Sequence, residues 1–230
     1  AEIRGNTAFL KQVLDYLDIP NEMYQGSLTV EKRSDRQYEV EFRDVSFRYP
    51  GSQEYALSHV NMKFKVGEKL AVVGQNGSGK TTFIKLLCRL YDPTKGEILL
   101  NGIDIRKYDY QEYMSVFSVV FQDFQLLDAP LGENIGASLH YDKARGLECL
   151  EKAGLEEWFR TKAVKGLETR LYQHEDANEG IQISGGEEQK LAIARSLYRD
   201  APFLVLDEPT AALDPMSEYE VYTRLNDIVE

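Results

Sequence analysis

The chain has 230 residues, 43% of them hydrophobic and 28% charged, which is the make-up of a folded globular chain and excludes a disordered one. Its 27 Lys and Arg against 38 Asp and Glu leave a net charge of −11, which argues against broad, sequence-independent nucleic-acid binding while leaving room for a local anion site. Two cysteines, Cys88 and Cys149, make no disulfide framework, and both sit in apolar helical patterns as buried free thiols. No apolar run approaches bilayer-crossing length, and the start, Ala1-Glu2-Ile3-Arg4, has neither an initiator Met nor a signal-peptide core. The expectation is a chain that was processed or cut from something longer.

Residues 1–17 predict a helix, with Ile3, Leu10, Val13, Leu14 and Leu17 on one stripe and Ile19-Pro20-Asn21 ending it. Residues 21–37 are polar and turn-rich, a linker. A helix of this size cannot fold alone, so its stripe is expected to rest on something outside this chain. From Tyr38 the period changes to two. Tyr38, Val40 and Phe42 alternate with charged residues, and so do Val60, Met62, Phe64 and Val66 with polar ones, predicting half-buried antiparallel strands. Residues 97–105 predict a hairpin around Asn101-Gly102. The short apolar runs 70–73, 116–121 and 203–206 are of the buried kind found in parallel sheets. Helical spacing over 144–150 and at Trp158-Phe159, a polar loop over 169–180 and a helix over 190–198 complete an α/β core interrupted by a helical insertion.

Three segments carry chemistry. Gly74-Gln75-Asn76-Gly77-Ser78-Gly79-Lys80-Thr81 has the spacing of a phosphate-binding loop, between an expected strand and a helix bearing Phe83, Ile84, Leu87 and Leu90. Glycines there let amides turn inward around phosphates; Lys80 would reach the terminal phosphates and Thr81 would ligate Mg²⁺. Asp207 and Glu208 end an apolar strand at the edge where parallel sheets bind ligands, placing Asp207 to hold Mg²⁺ through water and Glu208 to orient or deprotonate an attacking water. Ser184-Gly185-Gly186-Glu187 opens a helix. Ser184 and Glu187 have capping-box spacing, and the same arrangement makes an anion site; spacing alone serves both readings. His59, His140 and His174 match no motif and read as structural or solvated.

Taken together, these segments resemble the nucleotide-binding domain of an ATP-binding cassette (ABC) transporter, exporter type. Phosphate loop, signature (184–187) and the Asp207-Glu208 pair stand in the family's order; Ala211-Ala212-Leu213-Asp214 matches its D-loop, Gln122 its Q-loop glutamine, and Tyr49 the aromatic that stacks on adenine. The resemblance runs from about residue 38 to the end. It implies a P-loop NTPase core with a mainly parallel sheet, an antiparallel β subdomain and a helical subdomain over about 123–187, with residues 1–37 leading out of an upstream transmembrane domain. It implies ATP and Mg²⁺ as ligands. Lys80, Gln122 and Glu208 would be catalytic; Thr81, Gln122 and Asp207 would serve the metal. Tyr49, Gly74, Gln75, Asn76, Gly77, Ser78, Gly79, Lys80, Thr81, Thr82, Ser184, Gly185, Gly186, Glu187 and Asp214 would contact nucleotide. A second nucleotide-binding domain, in a homo- or heterodimer, would pair head to tail, each ATP lying between one phosphate loop and the other signature. The implied place is the cytoplasmic face of the cell membrane, driving export of an unspecified substrate.

Three departures shape the expectations. The family's signature ends in Gln where this chain has Glu187, a carboxylate near an anion. No histidine follows His174, where the family carries a further strand and a switch histidine, so the natural protein is expected to continue and the isolated chain to hydrolyse weakly. Tyr172-Gln173-His174-Glu175-Asp176 also lacks the family's usual Val-Gly before Glu179-Gly180-Ile181-Gln182. The rival readings are a soluble ABC ATPase that transports nothing, and a nucleotide-binding regulatory module with impaired hydrolysis.

Overall fold

The computed structural model describes residues 2–20, 23–33, 35–172, 180–208 and 223. Helix α1 (Glu2–Leu17) comes first, and Leu10, Val13, Leu14 and Leu17 stand exposed along it. From Leu10 onward the stripe read from the sequence is present and exposed.

The following segment is strapped down. Ser27 and Leu28 donate their amides to the Lys107 carbonyl (both 3.0 Å), Asp109 donates to Leu28 (2.8 Å), and Val30 enters the core. Arg89, wholly buried, donates to the carbonyl of Tyr24 and to Asp92.

Strands β1 (Glu39–Phe47) and β2 (Leu57–Lys65) pair antiparallel, and β3 (Lys95–Leu100) with β4 (Ile103–Asp104) extends the sheet in the order β2-β1-β3-β4. The β3–β4 turn is Asn101-Gly102, both at positive φ (51° and 79°), the geometry for which that pair of residues is suited. Helix α2 (Lys80–Leu87) lies between β2 and β3, and α3 (Tyr110–Met114) precedes β5 (Phe117–Val120). β5 pairs parallel with β6 (Phe203–Leu206), from Phe117↔Phe203 to Val120↔Leu206. The two sheets share one core. Phe42 stacks on Phe83 of α2 at 4.5 Å between ring centroids, and Phe64 meets Phe203 edge-on at 5.8 Å.

The run over 70–73 departs from expectation. It makes no ladder among the described residues, and Leu70, Val72 and Val73 are exposed, Val73 at 87%. An apolar run becomes a buried strand only where a neighbouring strand takes up its amides and carbonyls. Here β5 and β6 pair with each other and neither pairs with 70–73. Helix α2 also ends at Leu87, which leaves Leu90 outside it and 41% exposed.

A second core is helical. It gathers α4 (Leu131–Gly136), α5 (Lys143–Lys152), α6 (Glu156–Lys162) and α7 (Gly185–Arg199) around Leu131, Ile135, Leu150, Leu155, Leu191 and Ala194. Trp158, foreseen as part of this helical stretch, packs inside it. Helix α7 also lies against β5, with Ser118 Oγ donating to the Ser196 carbonyl at 2.9 Å. Cys88 and Cys149 are free and buried, one in each core.

Candidate functional site

The loop over 74–79 is shaped by backbone needs. Ser78 donates its amide to the Gln75 carbonyl (3.1 Å), and Gly77 and Gly79 take positive φ, 81° and 94°. Gly79 caps α2. A Cβ there would lie 2.7 Å from both the Ala56 carbonyl oxygen and Leu57 Cδ2, so only glycine fits. Lys80 folds back over the loop and donates to the carbonyls of Gly74 (3.0 Å) and Gln75 (3.2 Å).

Strand β6 delivers the carboxylates to the same place. Lys80 Nζ lies 3.6 Å from Glu208 Oε1, and the Thr81 side chain faces the Asp207 carboxyl closely enough to lower its proton affinity. Asp207 is 3% exposed and donates its amide to the Val120 carbonyl (2.9 Å), which registers it at the end of the parallel pair. Its Oδ2 is buried without a hydrogen-bond partner among the described residues. Burial, seconded by the Glu208 charge, pushes its carboxyl above the ordinary range; Thr81, Lys80 and Lys85 oppose this. Thus four residues that are 126 or more positions apart in pairs, Lys80 and Thr81 with Asp207 and Glu208, meet at one edge.

Tyr49 sits half-buried beside them. Its ring meets Phe47 (5.0 Å) and Tyr91 (5.3 Å) edge-on, and its hydroxyl is 3.0 Å from Thr82 Oγ1. The Thr82 hydroxyl is therefore engaged by Tyr49. Gln122 is exposed in the turn after β5, two residues past Val120. Asp214 lies outside the described residues.

Residues 184–187 belong to the other core. Ser184 caps α7 with a full capping box: its amide donates to Glu187 Oε2 (2.7 Å), and the Glu187 amide donates to Ser184 Oγ (3.3 Å). Glu187 Oε1 takes the Lys162 ammonium at 3.0 Å. Burial alone would raise this carboxyl, but the Ser184 amide and hydroxyl and Lys162 outweigh it and hold it below its usual value. Both Glu187 oxygens are thus committed within the domain.

Two partners were invisible in sequence. Gln189 is buried on α7 and donates to the Glu208 carbonyl (3.4 Å), and a lone amide inside a helical pattern gives no signal of that. Lys162 lies 25 positions from its partner, with nothing local to mark the pairing.

A glycine-shaped phosphate loop opening a helix, facing two carboxylates at the end of a parallel strand, defines a P-loop nucleotide-binding domain, here carrying an antiparallel sheet and a helical subdomain. The family model described as ABC transporter matches residues 57–211, and the chain belongs to the ABC transporter family. It is 37% identical over 225 residues to the subtilin transport ATP-binding protein SpaT of Bacillus subtilis, covering 96% of this chain and 36% of that protein. It is also 37% identical over 231 residues to the ATP-dependent lipid A-core flippase of Paraburkholderia xenovorans (strain LB400), covering 99% of this chain and 37% of that one. A bacterial Atm1-family ABC exporter with ATP bound aligns over 99% of this chain and 39% of its own, with a TM-score of 0.80 and 27% identity. The chain spans well under half the length of these relatives. Among the described residues no helix is long and apolar enough to cross a membrane.

Proposed function

We propose that this chain is the ATP-binding and ATP-hydrolysing motor domain of an ABC exporter. The observation that carries the reading is the meeting of Lys80 and Thr81 with Asp207 and Glu208. The loop amides and Lys80 bind the phosphates, and the Tyr49 face stacks on adenine. The buried, unpartnered Asp207 oxygen beside the Thr81 hydroxyl is a hard-oxygen donor set suited to Mg²⁺. Thr81 and Asp207, with Gln122, would hold it. Mg²⁺ supplies neutralisation of phosphate charge.

Glu208 orients a water and accepts its proton as it attacks the terminal phosphorus, the bond from that phosphorus to the bridging oxygen breaks with ADP as leaving group, and Lys80 stays on the phosphates. In this reading Ser184, Gly185, Gly186 and Glu187 face the nucleotide of a second domain docked head to tail, and Asp214 contacts it from the D-loop. Hydrolysis separates the pair. Residues 1–37 would connect to a transmembrane domain, with the exposed stripe of α1 turned toward it at the cytoplasmic face of the membrane, and 38–230 would form the motor with its helical subdomain over about 123–187. The exported substrate belongs to that membrane part; lipid A-core and subtilin belong to the relatives' names.

Two measurements test this. Lys80→Ala should abolish binding of a fluorescent ATP analogue, and wild-type affinity would overturn the loop assignment. Glu208→Gln should give an ATP- and Mg²⁺-dependent dimer by light scattering, and a monomer at every ATP concentration would overturn the head-to-tail mechanism.

A further inference from the structure

The first turn of α7 carries two carboxylates, Glu187 and Glu188, at the end where the helix offers its amides to an anion. Glu188 takes a hydrogen bond from the Tyr172 hydroxyl at 2.9 Å. Glu187 receives a full charge, the ammonium of Lys162, the last residue of α6, at 3.0 Å. The capping box consumes the Ser184 and Glu187 amides internally, which leaves those of Gly185 and Gly186 to meet an incoming phosphate. A bare carboxylate beside them would repel it.

We propose that Lys162 is a positioning residue of the composite ATP site: it neutralises Glu187 and turns it onto its own cap, so that a carboxylate-ended signature accepts the terminal phosphate held by the opposing domain. The proposal rests on the head-to-tail reading above. Geometry and energetics separate this role from a structural one. The Lys162 side chain is 50% exposed and Glu187 21%, and exposed pairs of this kind add little to folding stability. Docking of a second domain excludes water from the same pair, where an uncompensated charge facing phosphate weighs far more.

The test places every variant in the Glu208→Gln background and titrates ATP with Mg²⁺ while light scattering follows dimer formation. Lys162→Met should raise the ATP concentration for half-dimerisation by about tenfold. Adding Glu187→Gln to Lys162→Met should bring it back to the parental value, and Lys162→Arg should hold close to it. Binding of a fluorescent ATP analogue to the monomer and the thermal midpoint should stay at parental values throughout. Dimerisation of Lys162→Met at parental ATP, or an equal loss with and without Glu187→Gln, overturns the role of Lys162 and leaves the motor assignment standing. Failure of the Glu208→Gln parent to dimerise takes down the head-to-tail reading and this inference with it.

Discussion

Asp207 shows what the site demands of a single residue. Its carboxylate is sunk at the end of β6 with one oxygen unpartnered among the described residues, and burial raises its proton affinity above the ordinary value of 3.8. A raised carboxyl binds its proton in the folded state at a pH where the unfolded chain has already lost it. Its contribution is therefore most favourable in acid and declines as pH climbs from the ordinary value through the raised one. At neutral pH the charge is a burden on the fold. Asp207→Asn keeps the shape and removes the charge. It should unfold at a higher temperature than wild type at pH 7, with the gap closing as pH falls below the usual aspartate range, while Mg²⁺-dependent hydrolysis is lost. A midpoint at pH 7 equal to or below that of wild type would contradict this account.

At the scale of elements, the start of α2 depends on Gly79. Alanine there keeps the loop's length yet meets the Ala56 carbonyl and Leu57 and must hold φ near 94°. Gly79→Ala should lower unfolding free energy by about 2 kcal/mol in chemical denaturation, since strain and close contact act together. It should also weaken nucleotide binding by displacing the amides of the loop. Such loop residues were readable because one glycine pattern fixes both conformation and chemistry. The strands over 38–42 and 60–66 were readable because alternation records a half-buried face, and 203–206 because its ladder partner β5 exists. The run over 70–73 has the same apolar character yet forms no ladder among the described residues, and composition does not reveal whether a neighbouring edge is available. The strap at 23–33 was missed for a related reason. Its hold comes from backbone bonds to Lys107 and from Arg89 far along the chain, and polar sequence alone reads as a free linker.

Across the whole molecule, the loop over 74–79 adjoins the first core and residues 184–187 the second, so whatever joins the two decides whether they move as one. Helix α7 is the shared element, and Arg195 is its tie to the segment that follows Gln122. Its guanidinium donates to the Asn134 carbonyl (2.7 Å), to Asn134 Oδ1 (3.0 Å) and to the Gln125 carbonyl (3.0 Å). Asn134 in turn accepts the Leu127 amide (2.8 Å) and donates to the Leu127 carbonyl (3.0 Å). Burial pulls the Arg195 proton affinity below its usual value, the mark of a cation held mainly by carbonyl dipoles. Arg195→Met preserves length and apolar stem while leaving those carbonyls unpaired, a loss of about 2 kcal/mol. The local consequence is sharper than the global one. The Leu127 amide should lose protection in hydrogen exchange, whereas amides of β1 and β3, which Arg195 does not touch, should lose only what the fall in global stability imposes. If loosening spread evenly through both cores, Arg195 would be an ordinary stabilising contact. If it stayed confined to the residues after Gln122, the turn that follows β5 would be steered by the signature helix, and the two halves of the ATP machinery would be joined through one guanidinium.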